Sequence, residues 1–394
     1  MSFCFPRAGK DGNTYSICGI PAHALRLVPA LPDLFPLVRP ILHRLDPEKA
    51  HDLTIRALSS GLFPAQPFVT DDVLATQVMG RSLPHPIGLS AGFDKHARVF
   101  RQMFSQGFAM VEVGGITPRP QIGNPKPRLF RLAEDRAVIN RMGFNNSGLE
   151  AAVTKLAGHG PLPGPLGANL ASNSDSADPA QDFELLVRGL APHVDYLVID
   201  VSCPNTANGK VFQNPERLAS LMARLTQARA EATPVQPPEM WLKIAPDLTG
   251  SELAEICAVA MAAQAQGMIV SNTTIERPDG LMSAHQGERG GLSGAPLFAA
   301  STARLAQVRR LTDGKLPLIG VGGIASGADA YAKIRAGASA LQLYTALVYE
   351  GPAVVTNIKR SLAALLRRDG FASVAEAVGV DAPVAAAPLL QTAI

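Results

Sequence analysis

Residues 197–206 read Leu-Val-Ile-Asp-Val-Ser-Cys-Pro-Asn-Thr, an apolar, β-branched run that stops at a cysteine with an amide and a hydroxyl close behind. A thiol at the end of a buried strand can act as a base, because an ordinary thiol gives up its proton at a pKa of about 8.5. Cys203 is therefore the first candidate for the group that does chemistry. Lone cysteines are more often small buried hydrophobes, yet Pro204, Asn205 and Thr206 end this run in a polar loop, not a core. Cys4, Cys18 and Cys257 are scattered, with no paired cysteines and no nearby histidine, so no zinc or iron-sulfur site is written and no metal is expected. Cys257 falls in a helix-like stretch, residues 251–265, where packing is the expected role.

From Pro86 onward one theme repeats, a short apolar run ending in small or polar residues and followed by a helical pattern. The runs are 87–90, 109–113, 166–169, 196–201, 241–244, 267–271, 316–320 and 340–344. Apolar recurrence at three and four residues fills several gaps, at 218–230, 251–265 and 300–311. Eight βα units imply a closed TIM (β/α)8 barrel of the α/β class, whose chemistry sits at the carboxyl ends of the strands. A doubly wound open sheet is the competing architecture, but no GxGxxG follows the first run. Ala91 and Lys95, Thr117, Asn169, Cys203 with Asn205, Lys243, Ser271 with Asn272 and Thr273, Gly322 with Gly323, and Tyr344 with Thr345 stand at successive run ends. Together they would ring one mouth, and the last two loops are where such barrels hold a phosphate.

The 394-residue chain is 47% apolar and carries a net charge of only +3, without a basic block, so nucleic acid is not an expected partner. The first 30 residues lack the compact apolar stretch of a secretory signal. Residues 21–42 are apolar but broken by five prolines and charged at Asp33 and Arg39, too interrupted for a span. They suit short amphipathic helices on a membrane surface or an ordinary packed hairpin.

Eight segments in this order resemble the dihydroorotate dehydrogenase family: GLSAGFDK at 88–95, TPRPQIGNPKPRLFRL at 117–132, INRMGFNN at 139–146, SCPNT at 202–206, KIAPDL at 243–248, SNTT at 271–274, GGLSG at 290–294 and GVGGI at 320–324. The resemblance implies an FMN enzyme that oxidises dihydroorotate to orotate in pyrimidine (UMP) biosynthesis. It implies flavin contacts from Ala91, Gly115, Asn169, Asp200 and Lys243, and from Ser271, Gly294, Gly323, Tyr344 and Thr345. Substrate would be held by Lys95, Asn140, Arg141, Met142 and Gly143, and by Phe144, Asn205, Asn272 and Thr273. Cys203 would be the base, with Thr206 and Phe144 beside it. The segment LDPEKAHDLTIRAL at 45–58 resembles the second helix of the extension that marks quinone-linked members, with His51, Arg131 and Tyr344 on positions that line the quinone path. The implied organisation is an N-terminal extension with a membrane-associated hairpin (1–80), the FMN-binding barrel (81–370) and a tail (371–394). The implied location is peripheral, on the cytoplasmic face of the cell membrane.

The sequence also departs from that pattern. Quinone-linked members carry serine at the base position, where this chain has Cys203. Asp200 stands where the family has asparagine, Gly115 where it has a hydroxyl residue, and Ser172 where it has lysine; the loop at 207–210 is atypical too. A carboxylate facing an anionic substrate at about 4 Å costs roughly 4 kcal/mol at an effective dielectric of about 20. The alternative expectation is therefore a flavin-dependent paralogue acting on another reduced pyrimidine or cyclic amide. A non-catalytic flavin-binding or membrane-associated scaffold is a third, disfavoured by Lys95, Asn205, Asn272 and Cys203.

Overall fold

The computed structural model describes residues 7–8, 14–15, 35–61, 63–66, 71–201 and 211–384. Met1–Leu34 forms one compact unit, in which Arg7–Ala8 and Thr14–Tyr15 pair as an antiparallel ladder. The other unit, Phe35–Ile394, is built on a closed eight-stranded barrel. Its strands are β1 (Ile87–Leu89), β2 (Met110–Ile116), β3 (Leu166–Leu170), β4 (Tyr196–Asp200), β5 (Glu239–Ile244), β6 (Gly267–Val270), β7 (Leu318–Val321) and β8 (Ala340–Leu343). Every neighbouring pair is parallel and β8 closes onto β1, so each apolar run of the sequence becomes one stave.

Strands this apolar must be covered on both faces. Leu197 and Ile199 pack outward into the main core, while Tyr196 and Val198 fill the barrel. The helices supply matching stripes: Pro215–Ala232 buries Leu218, Leu221, Met222, Leu225 and Ala228 at helical spacing. Its start is set by Asn214, whose side chain accepts from the Arg217 N–H, and capping boxes at Thr249 and Ser326 start two others. Cys257 packs in the core, where burial pushes its thiol up to about 11, so it is inert as expected.

The lower barrel is filled by Met110, Tyr196 and Trp241, and a hairpin of Thr76–Val78 and Arg81–Leu83 adds Val78 and Leu83 to the same cluster. Glycine makes the room. A Cβ on Gly167 would lie 2.1 Å from the Tyr196 ring, and one on Gly267 would lie 2.3 Å from that of Trp241.

Two helices precede the barrel, α1 (Phe35–Arg44) and α2 (Pro47–Ser59). Asp46 caps α2 by accepting from the Glu48 and Lys49 N–H groups, and Pro47 occupies the first turn, where its missing N–H costs nothing. No residue of α1 is buried, and Leu37 and Ile41 are 73% and 61% exposed. Pro40 lies inside α1 and does not break it; the carbonyl it leaves without a donor is near the helix start on an exposed turn. A separate antiparallel sheet of Leu129–Leu132, Ala137–Asn140 and Gly291–Gly294 anchors this pair. Arg128 donates to both Glu48 oxygens, at 2.6 and 3.2 Å, and to the Ile122 and Asn124 carbonyls.

Burial works to raise the Glu48 carboxyl, but Arg128 and Lys126 outweigh it and hold it below its usual range. Its contribution is present above the unfolded carboxylate value and is lost as pH falls through the lower folded one. Glu48→Gln leaves Arg128 buried without its counter-charge, though still bonded to the Ile122 and Asn124 carbonyls, and breaking such a pair costs about 3–5 kcal/mol. The melting midpoint should fall by several degrees at pH 7, and the gap to wild type should close as pH drops below the carboxylate range. An equal gap at pH 7 and in acid would show that the ion pair is not the cause.

Candidate active site

The polar hub of the barrel is Glu112, on β2, which is completely buried. Asn169 Nδ2 on β3 donates to one of its oxygens at 3.2 Å and Gln342 Nε2 on β8 to the other at 2.7 Å. Lys243 Nζ on β5 lies 3.8 Å away. Burial raises the Glu112 pKa, and Lys243 and the two amides oppose that rise. Thus one carboxylate fixes an amide and an ammonium that the sequence marked as cofactor contacts. Glu112 and Gln342 were not read from the sequence. The signal was there: a charge inside the run 109–113, and an amide inside 340–344, need partners once the strand is buried.

Above this hub, register places Asp200 opposite Lys243 and Asn169 opposite Gly114. Asn272 Nδ2 donates to both Asp200 oxygens at 3.2 Å, while its Oδ1 accepts from the Thr273 N–H at 2.8 Å. The Asn272 amide is therefore oriented from both ends. Ser271 is buried beside it and its hydroxyl donates to the Asn272 carbonyl. A Cβ on Gly115 would lie 2.7 Å from the Phe144 ring and 3.3 Å from Asn169 Oδ1, so these three stand together. Phe144 holds a φ of 53°, supported by Asn146, whose Nδ2 donates to the Phe144 carbonyl at 2.7 Å. After β1, beyond Ala91, the loop turns so that Lys95 Nζ donates to the Gly92 carbonyl at 2.6 Å; burial pushes this lysine down to about 8.

A second polar group forms where the small sheet meets the start of Thr345–Glu350. Ser293 and Thr345 hydroxyls are 2.8 Å apart, and a Cβ on Gly294 would lie 2.4 Å from the Arg136 carbonyl and 3.1 Å from Thr345. Gly322 and Gly323 follow β7, with φ of 102° and 75° that favour glycine. An amide, an ammonium and the buried Ser271 and half-buried Ser293 and Thr345 hydroxyls, together with a glycine loop, suit a polar ring system carrying a phosphate.

Tyr344 faces an aromatic group. Its ring centre lies 5.5 Å from that of Phe93 and 6.2 Å from that of His51, and His51 and Phe93 meet edge to face. Burial and the nearby Lys95 push His51 down to about 3, so its imidazole is neutral. Burial also raises the Tyr344 hydroxyl. Arg131 is not part of this trio in its hydrogen bonds: its guanidinium donates to the Leu42 and Leu45 carbonyls, tying the hairpin down.

Other expected residues are positioned by backbone. Asn140 pairs with Gly291 across the small sheet. The Arg141 side chain turns to Glu288, the Arg289 carbonyl and the Phe130 ring. Met142 and Gly143 offer their carbonyls to Asn124 N–H and Gln121 Nε2. Residues 202–210, with Cys203, Asn205 and Thr206, lie outside the described residues.

A family model described as Dihydroorotate dehydrogenase matches residues 73–366. A Rhodospirillum rubrum protein named dihydroorotate dehydrogenase (quinone) is 53% identical over 349 residues, covering 89% of this chain and 95% of its own. The Mus musculus protein named dihydroorotate dehydrogenase (quinone), mitochondrial, is 46% identical over 350 residues, 87% of this chain and 89% of its own. Among solved structures, DHODH from Eimeria tenella in complex with ferulenol superposes with a TM-score of 0.82 at 38% identity, over 85% of this chain and 96% of that one.

Glu112→Leu removes the partner shared by two amides and a lysine, all buried. It should destabilise the protein by about 3–5 kcal/mol in denaturant unfolding, whereas Glu112→Gln, which keeps an acceptor, should cost clearly less. Equal effects would mean that volume, not the acceptor, is what the hub provides.

Proposed function

The chain belongs to the dihydroorotate dehydrogenase family, and from that premise we propose that it oxidises dihydroorotate to orotate with FMN as its flavin and a membrane quinone as electron acceptor, in pyrimidine biosynthesis. One observation carries this: Asn169, Lys243 and the Asp200–Asn272 pair converge at one barrel mouth, from which the His51, Phe93 and Tyr344 rings lead toward α2.

FMN, held by Asn169, Lys243, Ser271, Thr345 and the glycine loops, would supply a two-electron acceptor that quinone reoxidises. The chain's own residues do the rest. Lys95, Asn140, Asn272 and Thr273, joined by Asn205, hold the pyrimidine ring, and Phe144 packs beside it. Cys203 takes the C5 proton, a step for which a positioned base contributes roughly 10²- to 10⁴-fold. The neutral His51 and the aromatic trio make an apolar approach for a quinone. The exposed Leu37, Ile41 and Leu53 of α1 and α2 are proposed to rest on the cytoplasmic face of the membrane. Among the described residues no helix is long and apolar enough to cross it.

A second reading, a paralogue acting on another reduced pyrimidine or cyclic amide, is favoured by Asp200, whose carboxylate accepts from the Asn272 amide on the substrate face.

Anaerobic mixing of the yellow protein with dihydroorotate, followed by a ubiquinone analogue, tests the first reading. Bleaching of the oxidised flavin band and its recovery on adding quinone are expected; a flavin that stays oxidised at saturating substrate sinks it. Asp200→Asn should lower KM for dihydroorotate by about tenfold or more, since a like charge near the substrate is removed. If the restored amide leaves turnover undetectable while flavin stays bound, the paralogue reading takes its place.

A further inference from the structure

Lys333 lies on the helix Gly327–Arg335, between β7 and β8, and none of it reaches solvent. Its Nζ donates to Ser301 Oγ at 2.8 Å and Thr302 Oγ1 at 3.1 Å, and lies 5.2 Å from the centre of the Phe298 ring. These three neighbours, on the helix Phe298–Leu311, are uncharged. Among the described residues, the charged side chain that acts on Lys333 is Asp329, one turn back on its own helix. That carboxylate accepts from the Ala325 and Ser326 N–H groups and the Ser326 hydroxyl as part of a helix cap. Burial pushes the Lys333 ammonium down to about 7. A buried cation without a carboxylate beside it is costly unless a counter-charge arrives from elsewhere.

The route outward is short. Ser301 Oγ, which accepts from Lys333, has its one proton between two acceptors, the Phe298 carbonyl at 3.1 Å and the Gly322 carbonyl at 3.3 Å. Gly323 packs directly on Phe298, where a Cβ would lie 2.5 Å from that residue's own Cβ. The Gly322–Gly323 peptide is trans, and in a trans peptide the N–H points opposite to the carbonyl. With the Gly322 carbonyl held toward Ser301, the Gly323 N–H is aimed away from it, on the loop expected to hold a phosphate.

We propose that Lys333 is the built-in counter-charge for the phosphate of the cofactor, a positioning residue that acts through Ser301 and the Gly322 carbonyl to aim the Gly323 N–H and to place a positive field behind it. The inference rests on the FMN reading above and assigns Lys333 the discrimination between FMN and riboflavin, which differ only in the phosphate.

The full chain, stripped of flavin, is titrated with FMN and with riboflavin. Wild type should prefer FMN, and Lys333→Met should weaken FMN binding by roughly tenfold, as two opposite unit charges about 12 Å apart at an effective dielectric of about 20 would, with riboflavin affinity unchanged. Equal loss for both flavins, or no loss, overturns the role of Lys333; a wild-type protein without preference overturns the phosphate reading itself. If Lys333→Met does not fold, wild type decides the matter at pH 8, where the free phosphate is already a dianion. FMN binding should then draw protons from solution and riboflavin binding should not, and equal proton exchange for the two overturns the proposal.

Discussion

A carboxylate sealed inside a barrel of apolar strands must be met by donors from the other staves, and Glu112 sets that demand here. Its donors come from β3 and β8, and its countercharge from β5, so the strands are tied across the lumen as well as along their edges. Removing any tie leaves a buried polar group unmet, which is why the arrangement is rigid. The functional consequence follows directly. Asn169 and Lys243 are held by a fully buried group, so on the proposed reading their donors are aimed before a ligand arrives and little reorganisation is left to do.

The barrel is graded along its axis. Aromatic and aliphatic side chains fill the amino-terminal end because glycines on neighbouring strands leave space for Tyr196 and Trp241. The polar hub stands above them, and the loops at the carboxyl ends carry the side chains proposed to bind. The lower half thus acts as a hydrophobic footing that keeps water from the hub, and a dry hub makes each charge-assisted contact stronger. The small antiparallel sheet serves two ends of the molecule at once: Arg128, just ahead of it, holds Glu48 of α2, while Gly294 at its other edge packs against Thr345.

Eight apolar runs in the sequence became eight strands because a parallel strand covered on both faces needs continuous hydrophobicity, a signal local enough to read. The residues at their ends were legible for the same reason, since Lys243, Ser271 and Thr345 break that pattern where the strands stop. Glu112, Gln342 and Lys333 were not legible. Each sits inside an element whose neighbours predict core, and what justifies it lies far away in sequence: Gln342 is 230 residues from Glu112, and Ser301 is 32 from Lys333. Arg141 shows the reverse limit, for its place in a matching segment does not reveal that its side chain turns to Glu288.

Asp200 is where hub and substrate face meet. It stands opposite Lys243 in register, accepts from Asn272, and its charge adds to what raises Glu112. Two carboxylates therefore act on each other inside one barrel, and Lys243 is the ammonium paired with Glu112. Dihydroorotate and orotate are both anions, so on the proposed reading a negative charge at 200 weakens substrate and product together. Such uniform weakening raises KM without lowering the barrier from the bound state, and it speeds departure of the product. Gly115 works in the same direction, because the missing side chain leaves the Phe144 ring room that a hydroxyl residue would occupy. On the proposed reading, the departures from the family pattern loosen the grip on the ligand while the hub beneath keeps the donors aimed.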